Sequence, residues 1–158
     1  GSDVIKLLAP LQCALLVCDI VDKSEFCSKY NATQTSLENL ITKSDVVSLH
    51  VPLTSLTTKM VDKKFLNQMQ RTAYLVNTCR GDVIDQQELK TALINGSIAG
   101  AALDVFAEEP PSDDEFLSLP NLIGTPHIGG NAREAEEDMG RSAIKHLASF
   151  FGNSPLKN

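Results

Sequence analysis

The sequence predicts an α/β domain with a doubly wound parallel sheet. Short apolar runs alternate with segments in which apolar residues recur at helical spacing. The apolar runs lie at 14–18, 46–51, 73–77, 98–103 and 121–124, and the helical segments at 3–11, 36–43, 61–69 and 85–95. Alternation of strands and helices is typical of βαβ units, which build parallel sheets. The runs contain few polar residues, so we expect strands that are covered on both faces.

Turn and capping residues support these boundaries. Asp85 is suited to begin the helix over 85–95, and Asn95-Gly96 to end it. The Pro-Pro-Ser-Asp-Asp stretch at 110–114 predicts a loop. A final amphipathic helix is expected over about 131–151, followed by a tail at 152–158. The apolar face of this helix contains Met139, Ala143, Leu147 and Phe150.

Composition limits the classes of function. The 158 residues are 42% hydrophobic, which is enough for one domain with a core. The net charge is −6 and no basic stripe is present, so we expect no nucleic-acid partner. No apolar run approaches the roughly 20 residues of a membrane span, and the N-terminus does not resemble a signal peptide. The sequence therefore predicts a cytoplasmic protein without a membrane partner.

The four cysteines do not predict a metal site or a disulfide framework. Cys13, Cys18, Cys27 and Cys79 form no CxxC pair and have no histidine at zinc-finger spacing. We expect reduced thiols. Cys79 has no paired base, so we interpret it as a packing residue and not as a nucleophile.

Polar residues recur where the predicted strands end. Ligands of open parallel sheets bind in the crevice beyond the carboxyl ends of the strands, so these residues predict one shared site. They are Asp19, His50, Pro52, Thr54, Asn77, Thr78, Arg80, Asp104 and His127.

Asp19 stands eighteen residues after Gly1, at the end of the run at 14–18. A carboxylate at the end of the second strand of a dinucleotide fold binds the adenosine ribose hydroxyls and selects NAD over NADP. The alternative is that Asp19 is an ordinary turn residue after a strand.

Three motifs carry a specific resemblance. VNTCRGDVID at 76–85, AALDVFAEEP at 101–110 and TPHIGG at 125–130 follow one another in this order. The chain resembles the NAD-binding domain of the D-isomer-specific 2-hydroxyacid dehydrogenase family over nearly its whole length. The resemblance implies a Rossmann-type fold and an enzyme that interconverts a D-2-hydroxy acid and its 2-keto acid.

The resemblance also implies roles for three residues. Arg80 corresponds to the family's catalytic arginine, Glu109 to its glutamate and His127 to its histidine. The planar guanidinium of Arg80 suits a substrate carboxylate, because it can bind both oxygens. His127 would transfer the proton, and Glu109 would orient its imidazole and raise its pKa.

Further positions are implied to hold the cofactor NAD. Asp104 matches the position near the nicotinamide, whereas His50, Pro52 and Thr54 match the segment along the adenosine. Thr78, beside Arg80, belongs to the same expected site. Gly1 falls at the third glycine of the family's phosphate-binding loop. The implied partner is a small 2-hydroxy or 2-keto acid of the phosphoglycerate or glycerate type, and the intact parent is expected to be a homodimer.

Two parts of the family's pattern are not found in the sequence. The first strand with its two glycines, and the substrate domain that precedes it, have no counterpart. We therefore expect 1–151 to form an incomplete dinucleotide-binding domain, with helix 131–151 leading back toward the substrate domain. The strands at 14–18 and 46–51 would close up against each other, or flank a gap filled by another chain or by residues that this sequence does not include. This chain alone is expected to lack NAD affinity and turnover.

Two alternatives stay open at this point. An NAD-sensing corepressor or other binding protein could use the same fold without turnover, because a fold does not fix a function. The chain could also be an inactive fragment of the dehydrogenase. Together, Arg80, Glu109 and His127 favour the enzyme, since a binding protein does not need all three.

Overall fold

The computed structural model describes residues 1–152 in two compact units. The first unit extends from Gly1 to Thr125 and the second begins at Pro126. Of the predicted tail at 152–158, only Gly152 lies within the described residues, where it ends the last helix.

The first unit alternates strands and helices. Its strands are β1 (Leu15–Val17), β2 (Ala32–Gln34), β3 (Val46–Leu49), β4 (Tyr74–Asn77), β5 (Gly100–Leu103) and β6 (Leu122–Gly124). Its α-helices are α1 (Ser2–Leu8), α2 (Ser24–Lys29), α3 (Leu37–Lys43), α4 (Lys63–Gln68), α5 (Gln86–Ile94) and α6 (Asp114–Leu117). Short 3₁₀ helices cover Ala9–Leu11 and Gly81–Val83.

The strands form two parallel sheets. One contains β1 and β2, and the other has the order β3-β4-β5-β6. Val47 pairs with Leu75, which pairs with Ala101, so the carboxyl ends of these strands meet at one edge. The predicted parallel α/β architecture is confirmed. Within residues 1–152, β1 and β3 do not pair, which excludes the first of the three arrangements expected for these strands, and the other two stay predictions.

Other elements differ from the sequence prediction. Strand β2 and helix α2 were not predicted, because β2 is Ala-Thr-Gln without an apolar run, and the only apolar side chains of α2 are the adjacent Phe26 and Cys27. The loop expected at 110–114 is also partly wrong. The side chain of Asp113 accepts a hydrogen bond from the backbone N–H of Phe116 and thereby begins α6. The last helix, α7 (Arg133–Gly152), starts two residues later than expected.

The core lies against one face of the four-stranded sheet. Helices α3 to α6 all add buried side chains to one cluster with the strands, and α1 adds none. On the other face, Val46 is 55% exposed, Tyr74 53% and Ile123 67%. The expectation that both faces are covered is therefore wrong for this unit. Successive side chains of a strand point to opposite faces, so helices on one side bury only every second residue.

Helix α7 makes up most of the described second unit, and none of its side chains is buried. Its exposed apolar residues include Met139, Ile144, Leu147 and Phe150. Among residues 1–152, no helix has both the length and the apolar character needed to cross a membrane.

Candidate active site

An open cleft lies beyond the carboxyl ends of β3 and β4. Its volume is about 550 Å³, which is within the usual range of ligand sites. Five predicted site residues line it, together with three that were not predicted as site residues. The lining residues are Gly1, His50, Val51, Pro52, Leu53, Thr78, Cys79 and Arg80.

His50 stands directly after β3. Its Nε2 atom lies 2.9 Å from the hydroxyl oxygen of Ser48. Partial burial lowers the pKa of the imidazole below its ordinary value of 6.5, so the ring is neutral near pH 7. A side chain at Gly1 would place its Cβ 3.3 Å from that of His50, which is tighter than usual. Glycine thus keeps this end of the cleft open.

Asn77, the last residue of β4, fixes the turn that carries Thr78 and Arg80. Its side chain is fully buried. The Oδ1 atom accepts hydrogen bonds from the backbone N–H and the thiol of Cys79, each at 3.0 Å. The Nδ2 atom donates to the carbonyl of Arg80 at 2.9 Å. These three hydrogen bonds therefore define the shape of the turn.

Arg80 places an exposed guanidinium at the cleft. Its backbone is extended, with φ −149° and ψ 141°. Atom Nη1 donates to the carbonyl of Cys79 at 2.6 Å, which occupies one of the five N–H donors. The remaining donors suit an anionic group such as a carboxylate.

Cys79 is half-buried, and its side chain packs against the hydrophobic core. It also lines the cleft beside Arg80. The packing interpretation of this cysteine is confirmed, and the contact with the cleft is an addition.

The loop after β5 holds Asp104 and Glu109. Asp104 is 7% exposed, and its carboxylate accepts a hydrogen bond from the hydroxyl of Thr125. Its backbone N–H donates to the carbonyl of Asn77 at 2.9 Å, which joins this loop to the Arg80 turn. Glu109 is exposed, and its Oε1 atom accepts from the backbone N–H of Phe106 at 3.0 Å. Neither carboxylate lines the cleft.

Asp19 and Thr54 lie after strands β1 and β3 but do not line the cleft. The carboxylate of Asp19 accepts a hydrogen bond from the backbone N–H of Val21 at 3.0 Å. That bond forms a turn, so the alternative interpretation of Asp19 stays open. The carbonyl of Thr54 accepts from the backbone N–H groups of Thr57 and Thr58 at 3.1 and 2.9 Å.

His127 belongs to the second unit and is exposed. Its φ of 53° lies in the left-handed region, which few residues other than glycine adopt. Residues held in this region are enriched at functional sites.

A parallel α/β sheet with a polar cleft at its carboxyl edge defines the class of doubly wound nucleotide-binding domains. A family model described as the D-isomer specific 2-hydroxyacid dehydrogenase NAD-binding domain matches residues 1–129. The chain belongs to this family.

Curated relatives agree with this assignment. A glyoxylate reductase of Korarchaeum cryptofilum is 42% identical over 95% of the chain and 46% of its own length. A glycerate dehydrogenase of Methylorubrum extorquens is 42% identical over 75% of the chain and 39% of its own length. The chain thus spans less than half the length of these relatives.

A solved structure agrees in fold. The NAD-complexed D-isomer specific 2-hydroxyacid dehydrogenase of Lactobacillus delbrueckii ssp. bulgaricus is 30% identical and superposes with a TM-score of 0.86. The match covers 99% of this chain and 52% of that one.

Proposed function

We propose that this chain is the NAD-binding half of an oxidoreductase that interconverts a small D-2-hydroxy acid and its 2-keto acid. One observation carries the proposal. Arg80, a cation suited to a substrate carboxylate, lines the same cleft as His50, Pro52 and Thr78, which match the family's cofactor positions. One cleft would then hold both reactants.

The residues present fit a dinucleotide. The cleft is large enough for part of a nucleotide, and Pro52 and Thr78 lie on its wall. Asp19 would bind the ribose hydroxyls, because a carboxylate that accepts one backbone N–H still has free lone pairs. Asp104 would contact the nicotinamide end. When bound, the cofactor supplies or accepts the hydride.

The side chains would handle the remaining chemistry. Arg80 binds the carboxylate of the 2-keto acid and polarises its carbonyl, which gathers negative charge during reduction. His127 donates a proton to that oxygen and accepts it in the reverse reaction. Glu109 would orient the imidazole of His127, as its match to the family's glutamate implies.

The names of the relatives narrow the substrate class. Glyoxylate reductases and a glycerate dehydrogenase are among them, as is a glyoxylate/hydroxypyruvate reductase B of Enterobacter agglomerans. We therefore take a two- or three-carbon 2-keto acid without a phosphate as the substrate. A cytoplasmic location and a homodimer stay predictions of the sequence.

The test measures reduction of glyoxylate and hydroxypyruvate by NADH in the full-length protein that contains this chain. Arg80→Lys keeps the charge but loses the planar fork, so kcat/KM should fall by about a hundredfold, mainly through KM. Arg71→Lys is the matched control. Arg71 is exposed, bonds the carbonyl of Gly96 and precedes β4, at the opposite edge of the sheet, so its variant should match the unmutated protein.

His127→Ala tests the proton transfer and should cost on the order of 10²–10⁴ in rate. His146→Ala, on the exposed surface of α7, is its control. NAD binding without turnover in the unmutated full-length protein would contradict the enzyme and favour the binding-protein alternative. Unimpaired turnover of His127→Ala would remove that residue from the mechanism.

A further inference from the structure

Gly81 lies where the loop after β4 meets the loop after β5. A Cβ atom built on Gly81 would come closer than 3.0 Å to the carbonyl carbon and oxygen of Phe106 and to the backbone nitrogen of Ala107. Real Cβ atoms essentially never approach other atoms so closely. Any side chain at this position would therefore push the two backbones apart.

The need for glycine here is steric and not conformational. The φ of Gly81 lies outside the left-handed region, whereas Gly96 has φ +61° and no atom within 4 Å of its built Cβ. Backbone freedom explains Gly96. Close approach of two backbones explains Gly81.

The loop that carries Gly81 is fixed on its own side. The carbonyl of Arg80 accepts a hydrogen bond from Asn77 at 2.9 Å, and the carbonyl of Gly81 accepts one from the N–H of Ile84 at 3.0 Å. Val83 and Ile84 are buried. A shift of Gly81 away from Phe106 would disturb these bonds and this packing.

The opposite backbone is fixed as well. The N–H of Phe106 donates to Glu109 at 3.0 Å, and the N–H of Ala107 donates to the side chain of Gln86 at 3.3 Å. The ring of Phe106 is 7% exposed and packs edge to face on Phe116, with ring centroids 6.5 Å apart. The peptide that faces Gly81, between Phe106 and Ala107, is therefore held by Gln86, and the peptide directly before it holds the carboxylate of Glu109.

We propose that Gly81 is a positioning residue, which sets the spacing between the loops that carry Arg80 and Glu109 by letting the backbones at Gly81 and Phe106 touch. Arg80 precedes Gly81 directly, and Glu109 is bonded to the residue that Gly81 contacts. The inference rests on the proposed function, because it concerns the distance between a residue that binds the substrate and a residue that orients the proton donor. Misplacement of reacting groups by about 1 Å costs up to about a hundredfold in rate.

The experiment compares Gly81→Ala with Gly96→Ala in the full-length protein. Both variants should lower the thermal midpoint, since one introduces a clash and the other strains a left-handed residue. Only Gly81→Ala should lower kcat for the 2-keto acid, by at least about tenfold. Its Kd for NADH should stay within about twofold, because the loops that hold the adenosine are not displaced. Crystal structures should show the Arg80–Glu109 Cα distance longer by about 1 Å in this variant, as contacts of carbon atoms begin near 3.5 Å.

A second variant covers the case in which Gly81→Ala does not fold. Gln86→Ala adds no volume and releases the N–H of Ala107, so it should lower kcat by a few-fold with little change in the thermal midpoint. Unchanged kcat in both folded variants, or an unchanged Arg80–Glu109 distance in Gly81→Ala, would overturn the inference. If the unmutated full-length protein reduces no 2-keto acid, the proposed function fails, and the crystallographic distance still decides the role of Gly81.

Discussion

The two sheets of the first unit differ sharply in packing. The packed region, which comprises α3 to α6 and β3 to β6 (residues 37–124), contains nearly all of the buried apolar side chains. The amino-terminal pair, which comprises β1, α2 and β2 (residues 15–34), buries only Leu15 and Cys27 below one tenth exposure. The packed region carries Arg80 and Glu109, whereas the amino-terminal pair carries Asp19.

This difference separates two tasks. Groups that must be held to fractions of an ångström need a close-packed surround, because packed interiors resist displacement. The role proposed for Asp19 is to bind ribose hydroxyls, which involves no bond-making step, so the reaction rate depends less on its exact position. We therefore expect substitutions in the packed region to affect folding, and those in the amino-terminal pair to affect cofactor choice.

The largest expected contrast is in stability. Leu75→Ala in β4 removes a fully buried side chain and should lower the free energy of unfolding by about 2–5 kcal/mol. Leu16→Ala in β1 removes a half-buried one and should cost about 1 kcal/mol. Urea denaturation followed by circular dichroism measures both. Equal losses of unfolding free energy would contradict the difference in packing between the two regions.

The same contrast explains how much of the fold could be predicted. Strands β3 to β6 were identified because their apolar runs stand out between helical segments. Strand β2 has the sequence Ala-Thr-Gln and lies in the region with little burial, so it left no apolar signal. Helix α6 was not predicted, and its first residue was assigned to a loop because Pro110 and Pro111 precede it, although Asp113 begins the helix.

For the site, the motifs indicated candidate residues, and their positions after the strands predicted that these residues lie together. Five of the ten predicted site residues line the cleft. Asn77 was noted as a polar residue at a strand end, but its role in fixing the Arg80 turn depends on three hydrogen bonds that no sequence pattern encodes. Gly81 could have been suspected from a glycine directly after Arg80. Its neighbour in space, Phe106, is 25 residues away in the sequence, so the contact needed a structure.

An intermediate effect is expected for the cofactor. Asp19→Ala should narrow the preference for NAD over NADP by about tenfold, because the carboxylate that repels a 2′-phosphate is lost. Titration of each cofactor into the full-length protein measures it. Asp45→Ala, at the amino end of β3, is the control and should leave the preference unchanged. Equal affinities for the two cofactors before mutation would contradict the role of Asp19 and favour a simple turn residue.

The smallest effect concerns acid stability. Hydrogen bonding from Lys90, which also pairs with Glu115, lowers the pKa of Asp113 below its usual 3.8. The folded state therefore gains stability from this carboxylate above about pH 4, and that gain is lost as the pH falls through the lowered pKa. Asp113→Asn keeps a side chain able to begin α6 but should flatten the decline in unfolding free energy below about pH 4.

Asp22 of the amino-terminal pair provides the comparison. Hydrogen bonding from Ser24 likewise lowers its pKa. Asp22 lies on the surface of the less packed region. Asp22→Asn should therefore change the free energy of global unfolding at acid pH less than Asp113→Asn does. Denaturant titrations between about pH 2 and 6 measure both variants. The reverse order would show that α2 is coupled to global unfolding more tightly than α6.

The buried side chain of Asn77 has a consequence for motion. The amide hydrogen of Cys79 lies in a loop, yet it is bonded to a fully buried acceptor at the end of β4. Such a hydrogen exchanges with solvent only when its surroundings open, so its protection should approach that of the β4 amides. On the timescale of hydrogen exchange, the turn that carries Arg80 thus behaves as an extension of the sheet.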